Sequence, residues 1–319
     1  MWAITAYFNS KGDPRRRRNF ELFAAALRRQ GVPLCTAELC ATAEEPGLDP
    51  GLSAKHVRVN HPDVLWCKEA LLNIALRALP DECEKVCWMD ADIEFLEDDW
   101  AAQTSALLDT HRVVQPHTAH VFMEDGERPD PDVADGRRHP SFAVDAARRR
   151  QSPEDAFAPP INFHAYHPGH VWAARRGDLE RCGGFFDRCV LGHGDIIMAT
   201  AFFGHLRTIR RMWDRRSVLG TYTRHWSPAL RLAAQKWQKR AARVFERSIG
   251  APPRPLVAYH WFHGTVKSRQ YERRGADLAE FDPNLHTALN ADGVLTWTEN
   301  APPAMRAAVD TYFTQRKQG

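Results

Sequence analysis

The sequence lacks the features that would place it in a membrane or outside the cell. No apolar run approaches the ~20 residues that a bilayer span requires. The amino terminus, MWAITAYFNSKGDP, has neither a cationic stretch before its apolar residues nor a small-residue cleavage site, so it does not resemble a signal peptide. The seven cysteines are odd in number and form no CxxC pair, which is typical of reduced structural thiols. We therefore expect a cytoplasmic protein.

The composition is that of a globular protein, but its charges are segregated along the chain. Of the 319 residues, 44% are hydrophobic and 26% charged, which excludes a disordered or fibrous chain. The net charge is only +3, yet residues 81–109 are acidic, while residues 205–254 carry thirteen Lys and Arg against Asp214 and Glu246 alone. A basic surface concentrates phosphates, nucleic acid or acidic lipid headgroups. A solvated basic helix face explains the same pattern.

Strand-like and helix-like segments alternate over the first hundred residues. Strands are expected at 2–9, 32–39 and 84–90, with helices at 15–31 and 61–80 between them. Such alternation predicts a mostly parallel α/β sheet of Rossmann type, flanked by helices. Parallel sheets bind ligands at the carboxyl ends of their strands. Asn9, Glu38, Asp90 and Asp92 all fall at such ends.

The stretch CWMDADIEF ends an apolar run with two aspartates. Carboxylates at i and i+2 in a loop after a strand can converge on one hard divalent cation, Mg²⁺ or Mn²⁺. Two solvated acids at the end of a strand would give the same sequence pattern. We expect Asp90 and Asp92 to bind a metal, whereas Glu94 faces solvent or the acceptor side.

Two histidines in YHWFHG follow a late predicted strand. A neutral imidazole can complete a carboxylate metal site and favours Mn²⁺ over Mg²⁺. A packed aromatic cluster with satisfied histidines is the alternative. His260 and His263 are therefore both candidate ligands, and His263 is preferred because it adjoins Gly264.

Two further motifs could act on a substrate. Asp195, in GHGDI, lies at or near a helix start, where it could either cap the helix or accept a proton from an incoming hydroxyl. The run RRRR at 15–18 begins the first helix, where cations oppose the helix dipole. An anionic ligand such as a diphosphate would offset that opposition.

Taken in order, these motifs resemble the metal-dependent nucleotide-sugar glycosyltransferases of the GT-A fold. The resemblance rests on a first strand and helix, the DxD at Asp90 and Asp92, the segment GGFFDRCVLGHGDI, and HGTVK after the late strand. It implies that the two aspartates and His260 or His263 hold the cation on the donor diphosphate. It also implies Asp195 as the base of an inverting reaction. The donor contacts that it implies are Tyr7, Asn9 and Glu38 at the nucleoside, Arg16, Lys68 and Asn73 at the phosphates, and Asp90 and Lys267.

The resemblance implies a transfer of sugar from a nucleotide-diphosphate sugar, with UDP as the expected nucleotide, to a hydroxyl acceptor, in the presence of Mn²⁺ or Mg²⁺. The GT-A-like domain would span 1–270 and be followed by a C-terminal extension, 271–319, that packs on it. Its expected parts are a nucleotide-sugar half (1–100), an acceptor-side half (101–204) with a flexible loop (124–160), a basic helical segment (205–254) and a metal-histidine strand and loop (255–270).

Other functions fit parts of the sequence. The basic segment, with Trp237 and Phe245 available for stacking or packing, would suit a nucleic-acid-binding protein. A phosphatase or phosphotransferase would use Asp90 as its nucleophile. In a sugar transferase, the same basic flank suits an anionic acceptor, such as nucleic acid, a phosphorylated glycan or a lipid met at a membrane surface.

Overall fold

The computed structural model describes residues 1–9, 12–63, 65–144, 167–204, 209, 213, 223–264 and 278–315. Three of the features expected from the sequence lie wholly or partly outside these residues. They are Lys267, the predicted 124–160 loop from residue 145 onward, and most of the stretch from 205 to 222.

The described elements alternate as the sequence predicts in the amino-terminal half. The helices are α1 (Pro14–Arg29), α2 (Lys68–Ala78), α3 (Trp100–Thr110), α4 (Arg176–Cys182), α5 (Gly194–Phe203), α6 (Pro228–Phe245) and α7 (Pro303–Gln315). The strands are β1 (Trp2–Phe8), β2 (Leu34–Cys40), β3 (Lys55–Asn60), β4 (Lys85–Met89), β5 (Ile93–Glu94), β6 (Val113–Val114), β7 (Ala119–Phe122), β8 (His139–Pro140), β9 (Val171–Arg175), β10 (Ile249–Gly250), β11 (Val257–His260), β12 (Thr287–Leu289) and β13 (Leu295–Trp297).

The central sheet has seven strands in the order β10-β6-β9-β4-β1-β2-β3. The neighbouring pairs among β1 to β4 are parallel, and so are β10 and β6, whereas β9 is antiparallel to both of its neighbours. The expected α/β architecture, with a mostly parallel central sheet flanked by helices, is therefore confirmed. The strands β1 and β4 are parallel neighbours, so their carboxyl ends lie side by side on the same side of this sheet, where the strands end.

Two details of the predicted elements are wrong. The strand β3 was not expected, and it makes the aspartate-bearing strand the fourth rather than the third. Its sequence, KHVRVN, buries only Val59 on the sheet edge, so it carries little apolar periodicity. The second helix begins at Lys68 and not at 61, since Trp66 N–H is still engaged with the Val190 carbonyl at 3.1 Å, outside any helix.

A second sheet, in the order β5-β11-β7-β8, lies beside the carboxyl end of β4. Its strand β5 starts directly after the aspartate turn and pairs antiparallel with β11, where Ile93 lies opposite His260. Its strand β7 pairs parallel with β11, so that Phe122 lies opposite His260 from the other side. The small sheet therefore brings the late histidine strand next to the aspartates.

The helices bury the faces that their apolar spacing indicates. Helix α1 starts at an Asp13 cap with Pro14 in its first turn, and it packs Phe20, Phe23 and Leu27 into the core. Helix α2 contributes Leu71 and other residues to the opposite side of the sheet.

The chain after residue 278 packs on the same core. The hairpin β12-β13 and helix α7 contribute Leu295, Val309 and Phe313 to the hydrophobic cluster that contains Leu71. All seven cysteines are buried, and none of them forms a disulfide. Within the described residues, no helix combines the length and the apolarity that a membrane span requires.

Helix α6, in the basic segment, is amphipathic, and its apolar side belongs to the core. Trp237 is 4% exposed and donates its indole N–H to the Gly184 carbonyl at 3.0 Å, while Phe245 is fully buried against Phe202. Neither ring is therefore available to stack on a nucleic-acid base, as the nucleic-acid alternative would need.

Candidate active site

A cleft opens at the carboxyl ends of β1 and β4 and has an empty volume of about 910 Å³, including space open to solvent. It is lined by residues from β1, α1, the turn after β4, the start of α2, the start of α5 and the end of β11. Its polar and aromatic lining consists of Tyr7, Phe8, Arg16, Asn19, Trp66, Lys68, Asp90, Asp92, His167, Asp195, His260 and His263. Most of the side chains proposed from the sequence therefore meet in one place.

Asp90 is the first residue after β4, and it is fixed on both sides. Its backbone N–H donates to the His170 carbonyl at 2.8 Å, and its carboxylate forms an ion pair with the Lys68 ammonium at the start of α2. Burial alone would raise the pKa of Asp90, but the charge and hydrogen bond of Lys68, together with the nearby His260 and His167, outweigh burial and the pKa is lowered. Asp90 is therefore an ionised carboxylate that shares the cleft with a fixed cation.

Asp92, His260 and His263 form a group with metal-binding geometry. The Nε2 atom of His260 lies 3.6 Å from one Asp92 carboxylate oxygen, and that of His263 lies 3.5 Å from the other. One potential ligand atom from each residue lies within 4.8 Å of the others. One carboxylate and two imidazoles suit a divalent transition ion such as Mn²⁺ better than Mg²⁺. The sequence left open whether His260 or His263 accompanies Asp92. In the structure both imidazoles lie beside its carboxylate.

Backbone pairing explains why these three residues converge. Asp92 and His260 are joined by the β5-β11 pairing, which the Trp261 N–H extends by donating to the Asp92 carbonyl at 2.9 Å. The loop that carries His263 is held by the buried Asn19 of α1, whose amide donates to the Phe262 carbonyl at 3.0 Å. The group is thus positioned by two strands and a helix rather than by a free loop.

Asp195 lies on another wall of the cleft, in the first turn of α5. The helix begins at Gly194, and the Asp195 carboxylate accepts from the Ile196 N–H at 2.8 Å while remaining half-buried in the cleft wall. The N-cap residue of α5 is His193 and not Asp195, whose carboxylate contacts a first-turn amide and also lines the cleft.

Glu69 is buried behind Asp195. Burial raises the pKa of Glu69 to about 7, with the Lys68 charge opposing the rise and Asp195 adding to it. The Trp66 indole N–H donates to this carboxyl at 3.1 Å. A β-carbon at Gly194 would lie 2.1 Å from a Glu69 oxygen, so the glycine allows α5 to approach this carboxyl. The cleft therefore has a titratable carboxyl directly behind the candidate base.

Three of the donor contacts expected from the sequence have other partners. The Asn9 amide bonds to the Asp13 backbone at the start of α1. Glu38 is 2% exposed and accepts from the Leu48 N–H at 2.8 Å, and its carboxylate pairs with His56. The structure places neither side chain in the cleft lining.

Asn73 is likewise distant from the cleft lining. Its amide donates to the Phe185 carbonyl and to Asp187, both at 3.1 Å, and its carbonyl accepts from the Phe185 N–H. Asn73 thus fixes the glycine turn after α4. Of the remaining donor contacts, Tyr7, Arg16, Lys68 and Asp90 line the cleft, and Lys267 lies outside the described residues.

Only one residue of the RRRR run, Arg16, lines the cleft. Arg15 pairs with Asp125 at 3.1 Å, and Arg17 donates to the Gly47 carbonyl at 2.9 Å. Glu94, at the far end of the motif, is half-buried and pairs with Arg29. These contacts leave Arg16 and Lys68 as the described Lys and Arg residues in the lining.

The sequence reasoning missed His167, Trp66, Asn19 and Glu69. Trp66 and Glu69 stood inside a segment that looked like one continuous amphipathic helix, and Asn19 was an ordinary polar position within α1. His167 follows a polar, Pro-rich stretch, where HPGH carried no recognisable motif. The histidine content around residues 117–120 and 167–170 was the one available signal.

Comparison with known proteins gives similarity of fold. No protein-family model matches the chain, and no curated protein matches it by sequence. Staphylococcus aureus TarS in complex with UDP-GlcNAc matches over 83% of this chain and 60% of that one, with 12% identity and a TM-score of 0.40. Drosophila β1,4-galactosyltransferase 7, in a mutant complex with manganese, UDP-Gal and xylobiose, matches over 62% of this chain and 60% of that one, with 15% identity and a TM-score of 0.30. A mycobacterial protein matches over 96% and 87%, with 11% identity and a TM-score of 0.38.

With identities of 11–15% and TM-scores of 0.30–0.40, this likeness carries no argument about the activity of the chain. The chain spans about 60% of the length of TarS and of β1,4-galactosyltransferase 7. What the cleft can do must therefore be argued from its own residues.

The chemistry open to the cleft follows from its charges. A carboxylate with two imidazoles can hold a divalent cation, and Lys68 and Arg16 add fixed positive charge at the carboxyl ends of β1 and β4. Such a site suits a polyanionic ligand. A third carboxylate, Asp195, also lines the cleft, and a carboxylate there can accept a proton.

Proposed function

We propose that this protein is a metal-dependent glycosyltransferase that transfers a sugar from a nucleotide-diphosphate sugar to a hydroxyl acceptor. The observation that carries the proposal is the convergence of Asp92, His260 and His263 beside the Lys68–Asp90 ion pair in one open cleft. The cleft lies at the carboxyl edge of a mostly parallel sheet, which is where α/β proteins bind nucleotides.

The donor set fits a divalent cation. Asp92, His260 and His263 would hold Mn²⁺ in preference to Mg²⁺, since two of the three ligands are nitrogen. When bound, such an ion would neutralise charge on the diphosphate. Asp90 forms an ion pair with Lys68. We therefore assign Asp90 the role of orienting the Lys68 ammonium and of adding a negative charge to this end of the site.

Residues of the chain would bind and orient the donor. Arg16 and Lys68 would contact the phosphates, because both are cationic and line the cleft. Burial would lower the pKa of Lys68, but the negative charge of Asp90 raises it, so Lys68 keeps its positive charge. Tyr7 lies in the wall next to Arg16, where its ring could contact the nucleoside. UDP is the first nucleotide to test, as the sequence resemblance implies.

Asp195 would act as the base. Its carboxylate is half-buried on the wall formed by α5, and accepting the acceptor hydroxyl proton there would support an inverting transfer. A phosphotransferase that used Asp90 as its nucleophile would need that carboxylate free of Lys68. The ion pair therefore favours the transferase.

The test is consumption of nucleotide sugars. We expect the wild-type protein to hydrolyse or transfer from at least one member of a UDP-, GDP- and CMP-sugar panel with Mn²⁺ and to lose this activity in EDTA. Asp92→Asn should abolish it, whereas Asp98→Asn, at an exposed acid beyond the same turn, should keep it. Equal turnover with and without metal, or in both variants, would reject the proposal.

A further inference from the structure

A second group of histidines lies behind the cleft. One ring nitrogen from each of His117, His120 and His170 lies within 4.8 Å of the others. His117 and His120 are fully buried, and His170 is 2% exposed. The ring centroids of His120 and His170 are 4.8 Å apart, and that of His117 lies 6.1 Å from each. This group shares no residue with the cleft group.

The ring nitrogens of two of these histidines are buried without hydrogen-bond partners among the described residues. Neither ring nitrogen of His117, nor either of His170, has a hydrogen-bond partner among the described residues. Leaving buried polar atoms without partners costs about 1–3 kcal/mol each, so native proteins rarely do so without an ion or a water at the site. Each neutral imidazole has one lone-pair nitrogen and one N–H, so these two neighbouring rings offer two lone pairs that a bound cation would accept.

The burial of these rings suits a metal and not an anion. His117 and His120 are fully buried and His170 is 2% exposed, and burial disfavours the protonated form of an imidazole. Neutral imidazole is a ligand for late first-row metals, whereas an anion would need protonated rings.

Backbone conformation and strand pairing fix the positions of His170 and His120. His170 has a φ of 68°, a left-handed conformation that non-glycine residues rarely adopt. His120 stands on β7, paired with Ala258 of β11 on one side and with His139 of β8 on the other. Two segments that are distant in sequence, residues 117–120 and the turn that ends at His170, thus supply the three rings.

We propose that His117, His120 and His170 form a second metal site, which takes Zn²⁺ and is distinct from the cation site of the cleft. Tetrahedral bonds of about 2.0 Å place ligand nitrogens about 3.3 Å apart, so atoms that already lie within 4.8 Å need only a small closure. Three protein nitrogens leave the fourth position to a water. The inference does not depend on the proposed function.

The role of this ion would be structural. Its ligands are at most 2% exposed, so a sugar or nucleotide could not reach it. The ion would join β7 and the preceding loop to the 167–170 turn. That turn supports the cleft, because the His170 carbonyl accepts from the Asp90 N–H and His167 lines the cleft wall. The two sites adjoin each other: the ring centroids of His170 and His260 are 5.0 Å apart, and the Phe122 ring packs beside both, 5.5 Å from His170 and 5.3 Å from His260.

The test measures the zinc content of variants that lack a ligand of the cleft site or a ligand of both sites. Purified full-length protein is stripped with a chelator, reloaded with Zn²⁺, passed through a desalting column and assayed by mass spectrometry of the metal. Asp92→Asn removes the cleft ligand, and His117→Asn removes a ligand of the new site. We expect Asp92→Asn to retain one equivalent of zinc and Asp92→Asn/His117→Asn to retain none. His286→Asn, at a buried histidine of the C-terminal region, is the matched control and should leave zinc binding unchanged.

Two further measurements keep the outcome decisive if a histidine variant fails to fold. Zn²⁺ should raise the Tm of the Asp92→Asn protein, and X-ray absorption of its zinc should show nitrogen and oxygen neighbours at about 2.0–2.1 Å without sulfur. The proposal is overturned if Asp92→Asn binds no zinc and gains no Tm. It is also overturned if the double variant folds and retains the metal, or if sulfur coordinates it.

Discussion

The pH dependence of stability should show a step that belongs to Glu69. This carboxyl is 4% exposed and buried behind Asp195, and its pKa is raised from 4.5 to about 7. Because the folded chain holds this proton more tightly than the unfolded chain, the stability is greatest below the unfolded pKa and falls as the pH rises through 7. At about 1.4 kcal/mol per pH unit, the shift corresponds to a loss of about 3 kcal/mol.

Glu69→Gln should remove that step. The amide imitates the protonated carboxyl and can still accept from the Trp66 indole, so the variant should match the wild type below about pH 4 and exceed its unfolding free energy by about 3 kcal/mol near pH 8. Urea unfolding at several pH values measures the difference. Glu82→Gln, at an exposed glutamate just beyond α2, is the control and should follow the wild type. A Glu69→Gln curve parallel to the wild-type curve at all pH values would refute the reasoning.

Three further predictions concern the cleft and the basic helix. Arg16→Ala should weaken UDP binding at least tenfold in calorimetric titration, whereas Arg18→Ala, at an exposed arginine of the same run, should not. Lys68→Met should weaken Mn²⁺-dependent UDP binding at least tenfold, because it removes one of the two described cations that line the cleft; undiminished binding would show that Lys68 does not contact the phosphates. Trp237→Ala should lower the unfolding free energy by about 3–5 kcal/mol in chemical denaturation because the ring is buried and hydrogen-bonded, and a loss below about 1 kcal/mol would place the ring outside the core.

The sequence was informative wherever local periodicity and a short motif coincided. The apolar run before Asp90 predicted a buried strand that ends at the aspartates, and β4 ends at Met89. The aromatic strand before His260 and His263 was likewise expected, and β11 ends at His260. The strands β1 and β4 are parallel neighbours, so the order of the elements was enough to place Asp90 and Asp92 at the cleft. The approach of His260 depends instead on the antiparallel pairing of β5 with β11 in the second sheet, which the order of the elements did not show.

Features that depend on packing between distant segments could not be predicted in the same way. The edge strand β3 buries a single residue, so no period of two was visible in its hydrophobicity. Glu38 and Asn73 looked like ligand contacts by position, but Leu48 and the turn at Phe185 satisfy them instead. The three buried histidines come from segments whose approach only the fold determines.

The central claim is that Asp92, with His260 and His263, holds the cation that allows a nucleoside diphosphate to bind beside Lys68. Calorimetric titration of UDP into the protein, with Mn²⁺ and then with EDTA, tests it directly in the wild type and in Asp92→Asn. We predict binding by the wild type that requires Mn²⁺ and that Asp92→Asn loses. UDP binding of equal strength in EDTA, or undiminished binding by Asp92→Asn, would contradict the account.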